Sequence, residues 1–492
     1  MLPETLLCLL NAAFVLAQTR QSIPLNQVTP FTPSNLPNPP IFTIPSANTL
    51  SISVALCTAN GSPRFFVTNS SAVDDPGPGG GRDVFEIPIT GGHGNWTGTF
   101  KDGGTLSVVD GRQTSFELGV SDDGDRPIHE VVPGLPVLGD TTSNQAIIFS
   151  AAFNKPLIQP PSYPNYTLPP ANQSLPSPPS SAPNLTLIIS TTLPTSPLTA
   201  LPQTGCSLSA QRSLGRVTNK TFWMKDQEGW RAQWFLEALT PSTNYTAYVV
   251  QDRTKVSGPI FFTTKSASFS CPLVHSLPYC PNIAYSVPLP RPPLGSNAYD
   301  ATNLPTKITT PLLSYMSNFT TTLTTFACGR DWYSPLVGCD DCQREYRRWL
   351  CAITFTRCGE PSPANSNAFT AVPPAPDATG LSAVRPTNGL DGSQLQQVFS
   401  ALVPQSTDIS KARSPTLPAM DSEYSMLLPC LERCTAVDRA CPNFLGFTCP
   451  DVHFNAAASY GVGYVDSVDD NEGRGVTGTS QDRWGNIWCN GG

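Results

Sequence analysis

Cysteines are the residues of this chain with the most chemistry to offer, because a thiol can cross-link, hold a metal or attack an electrophile. The chain has fifteen. Cys339-x2-Cys342 and Cys430-x3-Cys434 have the spacing of zinc ligands. Against zinc, the ten cysteines from Cys328 to Cys489 are not a multiple of four, and His453 is the only histidine among them. Cys8 sits in an apolar N-terminal run, and removing it leaves fourteen, the even number that a closed disulfide set requires. These are Cys57, Cys206, Cys271, Cys280, Cys328, Cys339, Cys342, Cys351, Cys358, Cys430, Cys434, Cys441, Cys449 and Cys489. The expectation is a disulfide framework without a metal, its pairing left open.

No other constellation competes as a reactive centre. His93, His129, His275 and His453 each stand alone in turn-like or loop sequence and read as surface residues. There is no G-x-S-x-G, H-E-x-x-H or P-loop. The glycines between Gly77 and Gly81 lack the following helix and lysine that a phosphate loop needs, so they read as a flexible loop. The acidic stretch from Asp466 to Glu472 does not match EF-hand offsets and reads as a solvated loop. Paired carboxylates for glycoside hydrolysis stay open as a minor alternative, since their spacing is set in three dimensions. The reading is a non-enzyme with no catalytic residue and no cofactor.

Two helices must carry most of the clustered cysteines. Cys342, Tyr346, Trp349, Leu350 and Ile353 fall at i, i+4, i+7, i+8 and i+11, which places them on one helical face, with Arg344, Arg347 and Arg348 mostly on a solvated one. Cys430, Cys434, Val437 and Cys441 repeat the pattern, so each cysteine could staple that helix to a neighbour, either the first helix or a flanking loop. Between them, Gly359 to Pro429 is a long insertion with one short helical candidate, Leu395, Val398, Phe399 and Leu402.

Upstream the signals are those of strands. Residues 51–56 and 83–87 alternate, and residues 106–109 and 115–120 flank Asp110-Gly111, which predicts a hairpin turn. Further strands are expected over 221–224, 232–239, 245–250 and 259–264. The run from Leu239 to Tyr248 resembles the E–F corner of fibronectin type III domains, where a tyrosine hydroxyl closes back on the preceding loop.

The 492 residues contain 52 prolines and 13% charged residues, a composition of small β-rich units joined by extended linkers. The expected organisation is a signal peptide (1–17, cleaved after Ala17), an extended lead-in (18–45), a β-rich domain (46–155) and a proline-rich glycosylated segment (156–205). A β-sandwich-like domain (206–270), a proline-rich linker (271–327) and a cysteine-rich domain (328–492, with insertion 359–429) follow. The fold class is therefore multidomain: a mainly β, sandwich-like N-terminal region plus a small α-helical disulfide-rich domain. The region before the apolar run carries Glu4 and no Lys or Arg, which is unusual for a signal peptide.

Compartment and partners follow from the same features. Nine N-x-S/T sequons, at Asn60, Asn69, Asn95, Asn165, Asn172, Asn184, Asn219, Asn244 and Asn318, all precede Thr320 and leave the cysteine-rich remainder as a candidate glycan-free docking surface. A net charge of -7 with no basic stripe argues against nucleic acid as a partner. No stretch approaches the ~20 apolar residues of a membrane span, and the C-terminus lacks a lipid-anchor tail, so membrane association is expected through a partner.

One resemblance gives that partner a class. Ala327-Cys328-Gly329-Arg330-Asp331-Trp332-Tyr333-Ser334-Pro335, then Cys339-Asp340-Asp341-Cys342 through Cys351, and Arg357-Cys358-Gly359-Glu360 resemble the fungal stretch-activated calcium-channel accessory subunit of the mating-induced-death family. Its animal relatives are the auxiliary factors of the sodium-leak channel. The resemblance covers the cysteine-rich third, and the order of Cys430, Cys434 and Cys489 fits it. It implies a frizzled-like cysteine-rich domain on the extracellular face of the plasma membrane, bound to the pore-forming subunit of a voltage-gated-type calcium channel and supporting stretch- or stress-activated calcium influx. Arg330, Asp331, Trp332, Tyr333 and Pro335 are the partner-binding residues it implies. A frizzled-like ligand-binding module and a secreted cell-wall glycan-binding protein are the alternatives.

Overall fold

The computed structural model describes residues 20–156, 167–172, 175–192, 197–326, 328, 333–361, 402–408, 417–450, 459–461 and 489–491. They fall into two compact units between which the chain passes repeatedly. The first is Met1–Val131, Thr199–Gln211 and Arg253–Val256; the second is Val132–Leu198, Arg212–Asp252 and Ser257–Gly492. The architecture is the expected one in class, a β-rich region and a smaller disulfide-rich helical part.

The first unit is a β-sandwich. Its strands are β1 (Gln21–Ser22), β2 (Gln27–Phe31), β3 (Ile41–Ile44), β4 (Ala47–Leu56), β5 (Arg64–Thr68), β6 (Val84–Ile87), β7 (His93–Phe100), β8 (Gly104–Val109), β9 (Phe116–Ser121) and β10 (Glu130–Val131). One sheet runs β1-β3-β8-β5-β6 and the other β2-β9-β4-β7. Phe31, Phe42, Phe65, Phe100 and Phe116 fill the space between them, with ring centroids of Phe31 and Phe42 4.7 Å apart and of Phe65 and Phe116 5.1 Å apart. Each such ring is worth about 1.5–3 kcal/mol of burial.

Two expectations change here. Residues 18–45 are not a lead-in: β2 pairs with β9 from Gln27↔Val120 to Phe31↔Phe116, and Ile23, Phe31, Phe42 and Ile44 are buried. β2 is a sheet edge, where Pro30 removes no ladder bond to an outer neighbour, so proline did not preclude a strand. Asp110-Gly111 is not a hairpin turn either. Asp110 adopts φ 58° and leads into a 3-10 turn (Gly111–Gln113), and β8 and β9 then join different sheets. The positive φ was legible, but the partner strands were not.

The second unit contains β11 (Val137–Thr141), β12 (Ala146–Phe149), β13 (Leu185–Thr191), β14 (Arg216–Asp226), β15 (Gly229–Glu237), β16 (Asn244–Gln251) and most of β17 (Lys255–Thr263). Two short helices, α1 (Pro197–Ala200) and α2 (Gly205–Ser209), lie between β13 and β14 in the chain. The sheet β11-β12-β15-β14 faces β13, β16 and β17 across a core that includes Trp234, Leu187, Val249 and Phe262. The Tyr245 hydroxyl accepts a hydrogen bond from the Thr240 N–H at 2.8 Å, closing the corner anticipated from the Leu239–Tyr248 run. The first two strands come from within residues 46–155 and β13 from within 156–205, so neither expected boundary matches the contact pattern. Proline density around Leu185–Thr191 masked a strand whose pairing with β16 is long-range.

The rest of this unit is β18 (Leu273–Val274), β19 (Tyr285–Ser286), α3 (Thr306–Phe326), α4 (Cys339–Thr354), β20 (Arg357–Gly359), β21 (Leu402–Gln405), β22 (Tyr424–Leu427) and α5 (Leu431–Ala440). Residues 271–327 are not a linker. Val274, Leu277, Ile283, Tyr285, Val287 and Leu289 are buried in one core with Ile308, Leu312 and Met316 of α3, whose spacing of four forms its inner face. Pro311 lies inside that helix. Within the expected insertion, β22 pairs with β21 on one side and with β20 on the other. Leu402, the last residue of the helical candidate, therefore opens a strand, and Leu395, Val398 and Phe399 lie outside the described residues.

Candidate functional site

The disulfide-rich helical head is built on α4. Gly338 precedes the helix, its N–H bonded to the Asp341 carboxylate at 2.8 Å, and Asp340 and Asp341 place negative charge in the first turn. Along the outer side, Arg344 pairs with Asp341 and Glu345, and Arg348 reaches Glu345 at 3.1 Å. On the inner side Cys342, Leu350 and Cys351 are buried. Tyr346 stacks on Phe319 of α3 with ring centroids 3.6 Å apart and planes 4° from parallel. Trp349 meets Phe447 edge-on at 5.0 Å and donates its indole N–H to the Tyr460 hydroxyl at 2.9 Å. With Leu323, Val437 and Leu168, these rings fill the space among the three helices.

Seven disulfides lock this arrangement and the first unit. Cys342 on α4 bonds Cys441 at the end of α5, Cys430 bonds Cys489, and Cys434 bonds Cys449. Cys328 bonds Cys339. Cys351 and Cys358 pair upstream with Cys280 and Cys271. In the first unit, Cys57 bonds Cys206 on α2, whose N-cap Thr204 accepts from the Ser207 N–H and donates to Leu56 O at 2.6 Å. The thiols at both zinc-like spacings are thus consumed as disulfides. The ten clustered cysteines are not a closed set, and the head begins near Cys271.

Sequence reasoning missed three parts of the head. The first is a proline-rich strap: Arg347 donates to Pro170 O and Ala171 O at 3.0 and 3.1 Å, and Gln343 donates to Pro169 O at 2.8 Å. Arg347 is therefore buried rather than on a solvated face, and burial lowers its pKa to about 10. The second is the C-terminal Asn490, fully buried, whose amide bonds the Tyr285 hydroxyl at 3.0 Å; that hydroxyl donates to Phe355 O at 2.8 Å and burial raises its pKa.

The third is Asp140, 1% exposed, which holds Lys265 at 2.8 Å, Arg357 at 3.2 Å and the Ser286 N–H at 3.0 Å. Burial by itself would raise the pKa of this carboxyl, but the two cations and the Ser286 bond outweigh it and hold it well below the usual range. Asp140 thus ties strand β11 to the base of the helical head. The cue that could have exposed these parts was Cys271 and Cys280, two cysteines set inside proline-rich sequence.

Of the residues implied to touch a partner, Tyr333 and Pro335 are described, and Arg330, Asp331 and Trp332 lie outside the described residues. The Tyr333 hydroxyl sits 2.6 Å from Gly338 O and 2.7 Å from Ala440 O, so it joins the start of α4 to the end of α5. Pro335 is exposed beside Leu336, 89% exposed; Phe444, 58% exposed, follows α5 at the same end. Among the sequons, Asn60, Asn95, Asn172, Asn184, Asn219, Asn244 and Asn318 are exposed, Asn69 is half-buried, and Asn165 lies outside the described residues. Asn318 is on α3 and Asn172 ends the strap, so the head carries two sequons that linear order had assigned elsewhere.

Two histidines depart from their expected surface position. His275 is buried, its Nδ1 2.8 Å from Ser276 Oγ, and burial lowers its pKa. His129 is buried with Nδ1 3.0 Å from Ser53 Oγ and Nε2 3.3 Å from Glu117 Oε2. This serine–histidine–carboxylate row resembles a hydrolase triad in distance only. Ser53 is fully buried between β4 and β9 and also accepts from the His129 N–H, so it stitches the sheet. His453 and the acidic stretch from Asp466 to Glu472 lie outside the described residues. No helix among the described residues is long and apolar enough to cross a membrane.

Comparison with known proteins bears directly on this architecture. A family model described as Mid1, stretch-activated Ca2+-permeable channel component, matches residues 49–475. The stretch-activated cation channel MID1 of Cryptococcus neoformans var. grubii is 32% identical over an alignment of 548 residues, which covers 96% of this chain and 84% of that protein. The stretch-activated cation channel yam8 of Schizosaccharomyces pombe is 28% identical, covering 47% of this chain and 41% of its own. MID1 of Saccharomyces cerevisiae is 26% identical, covering 44% and 35%.

Proposed function

This chain belongs to the Mid1 family of stretch-activated Ca2+-permeable channel components, and we propose that it serves such a channel from the extracytoplasmic side. Its role is that of an accessory subunit: it binds the pore-forming subunit of a voltage-gated-type calcium channel and supports calcium influx under stretch or stress. The observation that carries this reading is the seven-disulfide scaffold, which fits an oxidising, extracytoplasmic location and gives the head a rigid shape for docking. Residues 1–17 act as the signal peptide, the exposed sequons receive glycans, and retention at the plasma membrane comes through the partner.

Within the head, the docking surface is the end where the Tyr333–Pro335 segment meets the last turn of α5. Leu336 and Phe444 supply the apolar contacts there, as exposed large side chains at an interface core do. Purification of the tagged chain from detergent-solubilised membranes should bring down one large channel polypeptide, and deletion of the chain should abolish stretch-induced calcium uptake. Uptake unchanged by the deletion would sink the accessory role.

A further inference from the structure

A cavity of about 510 Å³ opens beside the three-stranded sheet of β20, β22 and β21, away from the helical end assigned above to docking. Its volume falls within the ~300–1,000 Å³ of small-molecule sites and has room for roughly two pyranose rings. Phe269 and Tyr424, packed on the Cys271–Cys358 disulfide and Met420, line it with aromatic surface. Glu360, Glu423, the Gln405 carboxamide and Ser270 are among its polar lining. Among the described residues, no lysine, arginine or histidine lines it. Lys265 lies 5.0 Å from the Phe269 ring centroid and is already paired with Asp140 at 2.8 Å.

The chemistry of this lining selects among ligands. Two carboxylates without a cation repel an anion. A wholly apolar ligand would strip water from the carboxylates and the amide without replacing its hydrogen bonds. The Glu360 carboxylate is pre-positioned, Oε1 accepting from the Ser266 N–H at 2.5 Å and Oε2 from the Ser266 hydroxyl at 2.7 Å, and each oxygen keeps acceptor capacity. A cavity this wide is poorly suited to enclosing a bare metal ion. Hydroxyl groups that donate to carboxylates, exchange bonds with a carboxamide and present C–H faces to aromatic rings match every part of the lining. We propose that this cavity binds a neutral saccharide.

The source of the sugar is a structural polysaccharide or the N-glycan of a glycoprotein, and both present the same chemistry. The test uses the full secreted chain with its disulfides intact, titrated by calorimetry and saturation-transfer NMR with laminaritetraose, chitotetraose and an oligomannose. Saturable binding of one of them is expected, weakened about tenfold by Glu423→Gln, which removes one charge-assisted hydrogen bond from an exposed position. Tyr424→Ser should weaken it further; if that variant melts early, Glu423→Gln alone decides, because Glu423 is exposed and outside the core. Preference for the glucan or chitin oligomer identifies a polysaccharide ligand, and preference for oligomannose a glycoprotein glycan. Absence of saturable binding to all three, or affinity unchanged in a Glu423→Gln protein of normal melting temperature, would overturn the proposal. Neither readout depends on the channel.

Discussion

Arg347 of α4 donates to the backbone carbonyl of Pro170 at 3.0 Å, across 177 residues of chain. A guanidinium that binds carbonyls instead of a carboxylate acts as a clamp, here on a proline-rich strap with no secondary structure of its own. The strap in turn presents Leu168 and Ala171 to the helical core.

Arg347→Met should therefore release the strap while keeping the apolar stem. Loss of two charge-assisted bonds predicts about 2–3 kcal/mol of destabilisation. The measurements are denaturant melting and proteolysis near residues 167–172. Cleavage there without a change in calcium influx would separate strap docking from function.

Asp140 predicts an acid limit. Its folded pKa is depressed, so its contribution to stability is fully present above the unfolded carboxylate value of about 3.9 and is lost as pH falls from there toward the folded value. Between pH 5 and 7 this group should contribute no slope. Asp140→Asn should flatten the stability profile below about pH 4 and cost about 3–5 kcal/mol at neutral pH, because Lys265 and Arg357 would stay buried without their counter-charge. Melting temperature against pH for both proteins checks this.

The disulfides should differ in weight. Cys342–Cys441 spans 99 residues and Cys328–Cys339 spans 11, so chain entropy predicts about 5 kcal/mol lost on removing the first and about 3 on removing the second. Paired Cys→Ala variants avoid a stray thiol. Guanidinium unfolding midpoints and secreted yield give the order, and a reversed order would mean that strain or residual unfolded structure dominates.

The docking assignment has a direct test at Leu336 and Phe444. Leu336→Asp with Phe444→Asp should leave the unfolding free energy within about 1 kcal/mol of the native protein, since neither side chain is buried. Co-purification of the channel polypeptide should fall at least tenfold. Co-purification at the native level would move the docking surface elsewhere.

Glycan mapping tests the head's coating. Asn318 and Asn172 are exposed, so each should carry a glycan, and Asn318→Gln and Asn172→Gln should each remove one glycan mass from the tryptic map. Both glycans would leave the Tyr333 end of α5 as the glycan-free part of the head.

What was legible in advance was local. The helix from Cys339 to Thr354 announced itself through period-four apolar spacing, and its acidic first turn is where the helix begins. The Leu239–Tyr248 run predicted the Tyr245 corner because the closing bond spans five residues. Residues 271–305 were opaque for the opposite reason. Leu277, Ile283, Val287 and Leu289 are buried irregular chain with no period to detect, and their burial depends on α3, α4 and two cystines far along the sequence.

The amino-acid order by itself determined the even cysteine set, the strand and helix segments with strong periodicity, and the family through its cysteine-centred motifs. Only the tertiary structure decided which cysteines pair, that proline-rich stretches serve as strands and a clamped strap, that Arg347 and His129 are buried, and where sequons fall on the head. The division has one physical cause. Periodicity and turn chemistry act over a few residues, whereas disulfides, ion pairs such as Asp140–Arg357 across 217 residues, and core packing join positions whose proximity no short window encodes.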